Sequence, residues 1–370
     1  MKALGIVNFE DSTASIDGLG DFRPVPAVSF MGRYRIIDFI LSNYTNSGID
    51  HVQVYCKEKP RNLIEHLGSG SYYNINSKRG SLQILYGEKP FSSPVYNNDV
   101  ANFLLNMQYI EADPNPYVIL APSYFVYSLD FNDVLDEHIS SGADVTVLYT
   151  ATRDAKSKFL GCDVLTVDKD RRITAFGKNH GNFKTRNISM EAYVMTKKMF
   201  ISLCNKAADA SSLYWFKDIL ADLCGTMNFR GYNVHTPVIC LNSLEEYYQA
   251  SMRLRDYDAA GDLFRPEWPI YTQTNDSCPT RIAETAVVRE SAIADGCVIK
   301  GTVDGCILGR NVTVKDGAVV RDSIILANVV IGEDTHLDHA IVDKYATVER
   351  VRRLEGTDAE PIYVRRRDRI

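Results

Sequence analysis

The stretch Ile282–Ile299 reads IAETAV VRESAI ADGCVI. Each six-residue unit carries aliphatic residues and a small residue near its end. The pattern returns as LGRNVT VKDGAV VRDSII (Leu308–Ile325) and again as IGEDTH LDHAIV DKYATV (Ile331–Val348). A self-similar hexapeptide period is the mark of a parallel β-helix, each unit forming one short flat face of a coil. Small residues suit the places where such a chain turns a corner.

Upstream the period changes. KALGIVNF, HVQVYC, YVILA and DVTVLYTA are short, apolar and rich in β-formers. Between them RYRIIDFILSNYTNSGI, NNDVANFLLNMQYIEA and FNDVLDEHISSGA repeat their apolar residues at three and four. Asn46-Ser47-Gly48 stops the first of these helices. Strands alternating with helices predict an α/β domain with a mostly parallel sheet covered on both faces. Ligands of such sheets bind outside the carboxyl ends of the strands. That places Ser123, just past YVILA, at the mouth of the expected site. Asn242 or Ser243 can cap the helix LEEYYQASMRLRDYDAA. The aperiodic DLFRPEWPIYTQTNDSCPTRI then reads as a connection. The expected organisation is an α/β domain over 1–257, a linker over 258–280 and the coil over 281–370.

The 370 residues are 45% hydrophobic and 24% charged, the make-up of a globular chain. No apolar run is long enough for a membrane span and MKALGIVNFED lacks a signal-peptide core, so a cytoplasmic protein is expected. A net charge of −6 speaks against a nucleic-acid-binding surface over the whole chain. The eight scattered cysteines contain no C-x-x-C pair, which reads as reduced structural thiols. From Arg350 onward seven arginines face four acids. That reads as a solvated tail, or alternatively as an anion site or interface.

PAVSFMGRYRIIDFILSNYTNSGI (Pro26–Ile49) resembles a block of the ADP-glucose pyrophosphorylases, nearly letter for letter over Tyr34–Phe39 and Asn46–Ile49. ISMEAYVM, FKDIL and IVDKYATV resemble further segments of that glucose-1-phosphate adenylyltransferase family, so the resemblance covers the whole chain. It implies a nucleotidyltransferase-like domain followed by a left-handed β-helix. The family joins ATP and glucose-1-phosphate into ADP-glucose and pyrophosphate, using Mg²⁺ and working as tetramers.

Residue by residue, the resemblance implies a chain stripped of that chemistry. The family's glycine-rich phosphate loop is replaced by VNFEDSTASIDGLGDFRP, where Glu10 and Asp11 would repel a triphosphate. The nucleotide segment becomes YNNDVANF. Ser123 and Cys240 occupy the positions of the two metal-binding aspartates, and neither residue suits Mg²⁺. No catalytic residue, no metal and no cofactor are expected. Lys178 and Ser189 match sugar-phosphate-binding positions. Arg23, Arg35, Lys344 and Arg366 match basic effector-binding positions, which could instead pair with acids across the domain junction. The resemblance is to regulatory, GlgD-type subunits, which implies a hetero-oligomer with a catalytic ADP-glucose pyrophosphorylase partner. An active adenylyltransferase with relocated ligands, for which Asp218 is the candidate, is the alternative. A hexapeptide acyltransferase using His336 or His339 is a more remote one.

Overall fold

A computed structural model describes residues 3–9, 14–75, 78, 80–86 and 96–370. Glu10 and Asp11 lie outside the described residues.

Among the described residues the main sheet has nine strands: β1 (Ala3–Asn8), β2 (His51–Cys56), β3 (Ser81–Tyr86), β4 (Tyr117–Pro122), β5 (Val145–Thr152), β6 (Asp163–Val167), β7 (Ile173–Lys178), β8 (Arg186–Thr196) and β9 (Phe229–Asn233). Strands β3, β2, β1 and β4 lie side by side and parallel. Beyond β4 the long β8 runs antiparallel, pairing with β4 and β5, and β9 closes that end parallel to β5. The β6–β7 hairpin joins the amino-terminal part of β8. The sheet is thus parallel where βα crossovers build it and antiparallel where β5 and β8 meet.

Strand β1 shows why the sheet needs apolar residues on both faces. Leu4 and Ile6 enter a core with Phe103, Phe200 and Phe216. Ala3 and Val7 enter the opposite core with Phe39, Tyr44 and Phe131. A strand buried on both sides reads as a continuous apolar run, because successive side chains alternate faces.

Nine helices are described: α1 (Ile37–Asn46), α2 (Arg61–Leu67), α3 (Asp99–Leu105), α4 (Met107–Ala112), α5 (Phe131–Ser141), α6 (Lys197–Ala210), α7 (Phe216–Leu223), α8 (Leu244–Leu254) and α9 (Tyr257–Gly261). Gly48, at φ 72°, ends α1 as its sequence implies. Ser243 rather than Asn242 caps α8, accepting the Glu246 N–H at 3.1 Å. LEEYYQASMRLRDYDAA breaks after Leu254 because Asp256 caps a second helix, α9. Among the described residues no helix is long and apolar enough to cross a membrane.

The connection is strapped across α1. Trp268 donates its indole N–H to Asn43 Oδ1 at 2.8 Å, and the Tyr271 N–H reaches Ser42 Oγ at 2.8 Å. From Arg281 the chain winds into three parallel five-stranded sheets, the arrangement of a left-handed coil of hexapeptide repeats. Its interior is filled by Ile299, Leu308, Val314, Ile325, Ile331, Val342 and Val348. Small residues such as Ala318, Ala340 and Ala346 are buried inside it. Left-handed backbone falls on Asn311, Asn328 and Asp334, residue types that tolerate positive φ.

The coil and the α/β part touch tightly. Tyr248 OH donates to the Asp322 carbonyl at 2.5 Å, and the Arg255 guanidinium meets Asp322 Oδ1 at 3.1 Å. Gly32 sits at φ +69°, and a Cβ added there would lie 2.8 Å from the Leu308 carbonyl oxygen. Gly32→Ala is therefore expected to cost about 1–3 kcal/mol through backbone strain and that clash, read as a lower midpoint of urea unfolding.

Candidate functional site

In an α/β sheet the place to look is the carboxyl end of the central parallel strands. Asn8 ends β1 and pairs in register with Pro122, which ends β4. Ser123 follows. Its hydroxyl is fully buried and has no hydrogen-bond partner among the described residues. Cys240 lies in the short strand Ile239–Cys240, which pairs with Phe125–Val126 just beyond Ser123. Its thiol faces the Cys162 thiol at 3.6 Å, and burial pushes its pKa well up. A lone hydroxyl and a protonated thiol directed at another thiol form a poor donor set for Mg²⁺, which selects carboxylate oxygen. The residues at the two positions do not fit the family's metal.

The remaining carboxylates nearby are already engaged. Asp99 is buried and accepts from the Asn8 amide at 2.8 Å, the Phe216 N–H at 2.9 Å and the Val100 N–H at 2.8 Å. Burial nonetheless raises its pKa to about 6. Asn8 and Asp99 thus bind the end of β1 to the starts of α3 and α7. Trp215 packs edge-on against Phe9 with ring centroids 5.8 Å apart, and these groups line one narrow crevice. Asp218 accepts the Trp215 N–H at 2.9 Å and so caps α7. Asp99 lies within YNNDVANF, but nothing in that segment singles it out. Its signal is that it opens a helix whose N-cap is Asn98.

On the sugar side Lys178 ends β7 and forms an ion pair with Asp163 at 2.6 Å. Ser189 is buried in β8, and its Oγ accepts the Glu191 N–H at 3.2 Å. Lys217 bridges Glu191 at 3.1 Å and Asp163 at 3.9 Å. Lys178 thus already has an anionic partner, while its side chain stays partly exposed.

The four basic positions do come together at the junction of the α/β part and the coil. Arg23 is buried and holds both oxygens of Asp343, at 2.7 and 2.5 Å. Its Nη1 is buried without a partner among the described residues. Tyr363 OH and the Lys344 N–H complete the Asp343 shell at 3.0 and 2.6 Å. Arg35 reaches the Asn62 carbonyl at 2.9 Å. Its own N–H binds Asp38, which also accepts from His66 and Tyr73. The Arg366 guanidinium lies 5.9 Å from the Phe22 ring and 5.7 Å from the Tyr345 ring, and its Nε is also buried and unpaired among the described residues. Burial, then Arg35 and Arg23, lower the Lys344 ammonium to about 7, with Asp343 opposing and Arg366 adding to the shift. One carboxylate thus pairs with the cluster across the junction, and one guanidinium nitrogen each of Arg23 and Arg366 has no partner among the described residues. Asp343 stands inside IVDKYATV beside Lys344, and nothing in that segment singles it out.

His336 is exposed, and His339 stands at a corner of the coil with its Nδ1 2.5 Å from Asp338. Asp322, Asp338 and His339 bring ligand atoms within 4.8 Å of one another, and Arg255 supplies a cation to Asp322 there.

A nine-stranded α/β sheet of this order joined to a hexapeptide coil defines a nucleotidyltransferase-type protein with a β-helical tail. Residues 19–235 match the family model for nucleotidyl transferases, and residues 279–361 match that for the GlmU-like C-terminal hexapeptide. The chain is 33% identical to the glycogen biosynthesis protein GlgD of Geobacillus stearothermophilus, over 86% of this chain and 83% of that one. It is 31% identical to a glucose-1-phosphate adenylyltransferase of Clostridioides difficile (82% of this chain, 80% of that one). A third relative, 28% identical over 86% and 77% of the two chains, is the glucose-1-phosphate adenylyltransferase of Fervidobacterium nodosum. The chain belongs to the glucose-1-phosphate adenylyltransferase family, among whose members it is similar to GlgD.

Proposed function

We propose that this chain is a cytoplasmic regulatory subunit of ADP-glucose pyrophosphorylase in glycogen biosynthesis, silent or nearly so by itself. On this reading it assembles with a catalytic partner subunit and shifts that partner's conformational equilibrium. What supports the proposal is the Ser123 hydroxyl and the Cys240–Cys162 thiol pair, which the resemblance matches to the two metal positions, beside a crevice lined by Asn8, Asp99 and Trp215. Phosphoryl-type transfer depends on charge neutralisation by metal and cationic groups, and these side chains supply no metal ligands. The similarity to GlgD supports the same reading.

Within that subunit we assign Arg23, Arg35, Lys344 and Arg366 to a phosphorylated effector, and Lys178 with Ser189 to the sugar phosphate. The unpaired guanidinium nitrogens of Arg23 and Arg366 support the first assignment. The divisions 1–257, 258–280 and 281–370 serve as our proposed domains.

The test is ADP-glucose formation from ATP, glucose-1-phosphate and Mg²⁺ by the purified chain, alone and mixed with a catalytic subunit. The expected result is rates near background alone, with co-migration and altered substrate affinity of the partner in the mixture. Robust Mg²⁺-dependent turnover by the lone chain would favour the active-enzyme alternative.

A further inference from the structure

Eight cysteines are present and seven of them are buried. Burial of a thiol usually means packing. Cys162 and Cys240 differ from the others in that their sulfur atoms face each other at 3.6 Å across 78 residues of sequence. A disulfide needs about 2 Å between sulfurs, so closure asks for a displacement on the order of 1.5 Å. The two segments are already held together. The Asn242 amide donates to the Leu160 carbonyl at 3.0 Å and lies 3.8 Å from Cys162 Sγ.

Cys240 also lines a cleft of about 470 Å³, bounded by Thr150, Lys158, His235, Glu246 and Arg253. The cleft is wide enough for a small solute, and it leads to one member of the pair. We propose that Cys162 and Cys240 are a reversible oxidation site, forming an intrachain disulfide when a hydroperoxide enters this cleft. The Cys240 thiol releases its proton, the thiolate attacks one peroxide oxygen, the O–O bond breaks, and the leaving hydroxide takes up that proton, giving a sulfenic acid and one water. The Cys162 sulfur then attacks the Cys240 sulfur, the S–O bond breaks, and a second water leaves. Two thiols lose two electrons and two protons, and hydrogen peroxide is reduced to two waters. A dithiol reductant reverses the step by exchange.

The bond would tie the start of β6 to the segment that caps α8. Helix α8 carries Tyr248, whose hydroxyl bonds the coil at Asp322, and Arg255, just past its end, also reaches Asp322. Oxidation therefore acts on the helix that links the α/β part to the coil. Because burial disfavours the Cys240 thiolate, the reaction is expected to quicken as pH rises above neutrality. The inference stands apart from the regulatory reading, since it concerns thiol chemistry alone.

The experiment treats the full chain with hydrogen peroxide, then denatures and alkylates it without reductant, and maps the peptides. The expected result is six alkylated cysteines in place of eight, a peptide linked through Cys162 and Cys240, and recovery of all eight after dithiothreitol. Cys162→Ser should leave Cys240 unable to form that link. Eight alkylated cysteines, or a two-thiol loss through any other pair, including a link between chains through the exposed Cys278, would overturn the proposal. The map on the unaltered chain decides this even if a variant folds poorly.

Discussion

Replacing Arg23 by methionine is expected to destabilise the fold by about 3–5 kcal/mol, the cost of leaving a buried charge without its partner. Arg23 and Asp343 are 3% and 0% exposed, so water cannot take the place of the lost guanidinium. Asp343 would keep the Tyr363 hydroxyl and the Lys344 N–H, which places the effect toward the lower end of that range. The pair joins the loop after β1 to the fourth turn of the coil, 320 residues away. Loss of stability should therefore appear as weakened docking of the coil as well as a lower unfolding midpoint. A double-mutant cycle with Asp343→Asn checks the attribution. If Arg23→Met costs as much in the Asp343→Asn background as in the native one, the ion pair is not the source of the effect.

That pair also marks the limit of what the sequence discloses. The hexapeptide coil was legible because its interior positions repeat at a fixed spacing, and periodicity is a local property. The strands β1, β2, β4 and β5 were legible for a similar reason, each being an apolar run bounded by turn residues. The antiparallel course of β8 was not, because ARG-to-Thr stretches such as RNISMEAYVMT have the same composition whichever way they run. The proposed ligand changes at Ser123 and Cys240 rest on the resemblance of short blocks. Their surroundings could not be read from those blocks. That Cys240 meets Cys162, or that Asn8 meets Asp99, depends on contacts between residues 78 and 91 positions apart. Likewise Arg23, Arg35, Lys344 and Arg366 matched basic positions one by one, while the carboxylate that shares their charge, Asp343, emerged only when the coil was folded against the α/β part.

If the cluster receives a phosphorylated effector, as proposed, its charge balance leads to the second large effect, a steep pH dependence of anion binding. Lys344 is held near 7 chiefly by burial, and Arg35 and Arg23 add repulsion. In the unfolded chain its pKa lies near the ordinary lysine value, so between about pH 7 and pH 10 the unfolded state binds the extra proton. Stability contributed by this group consequently rises as pH increases through that window. Anion binding has the opposite sign. A bound phosphate favours the charged ammonium and raises its pKa, so the complex holds the proton that the free protein has released. Affinity for a phosphorylated effector then falls roughly tenfold per pH unit above about pH 7, until the pKa of the complex is reached. Calorimetric titrations in two buffers of different ionisation enthalpy should show net proton uptake near pH 8. Lys344→Met should abolish that uptake and flatten the pH profile while leaving the Arg23–Asp343 link in place. A profile that stays flat in the unaltered chain would mean that the ammonium already carries its proton, or that the anion binds elsewhere. In the second case the four basic side chains would serve to hold the coil against the sheet rather than to receive a ligand.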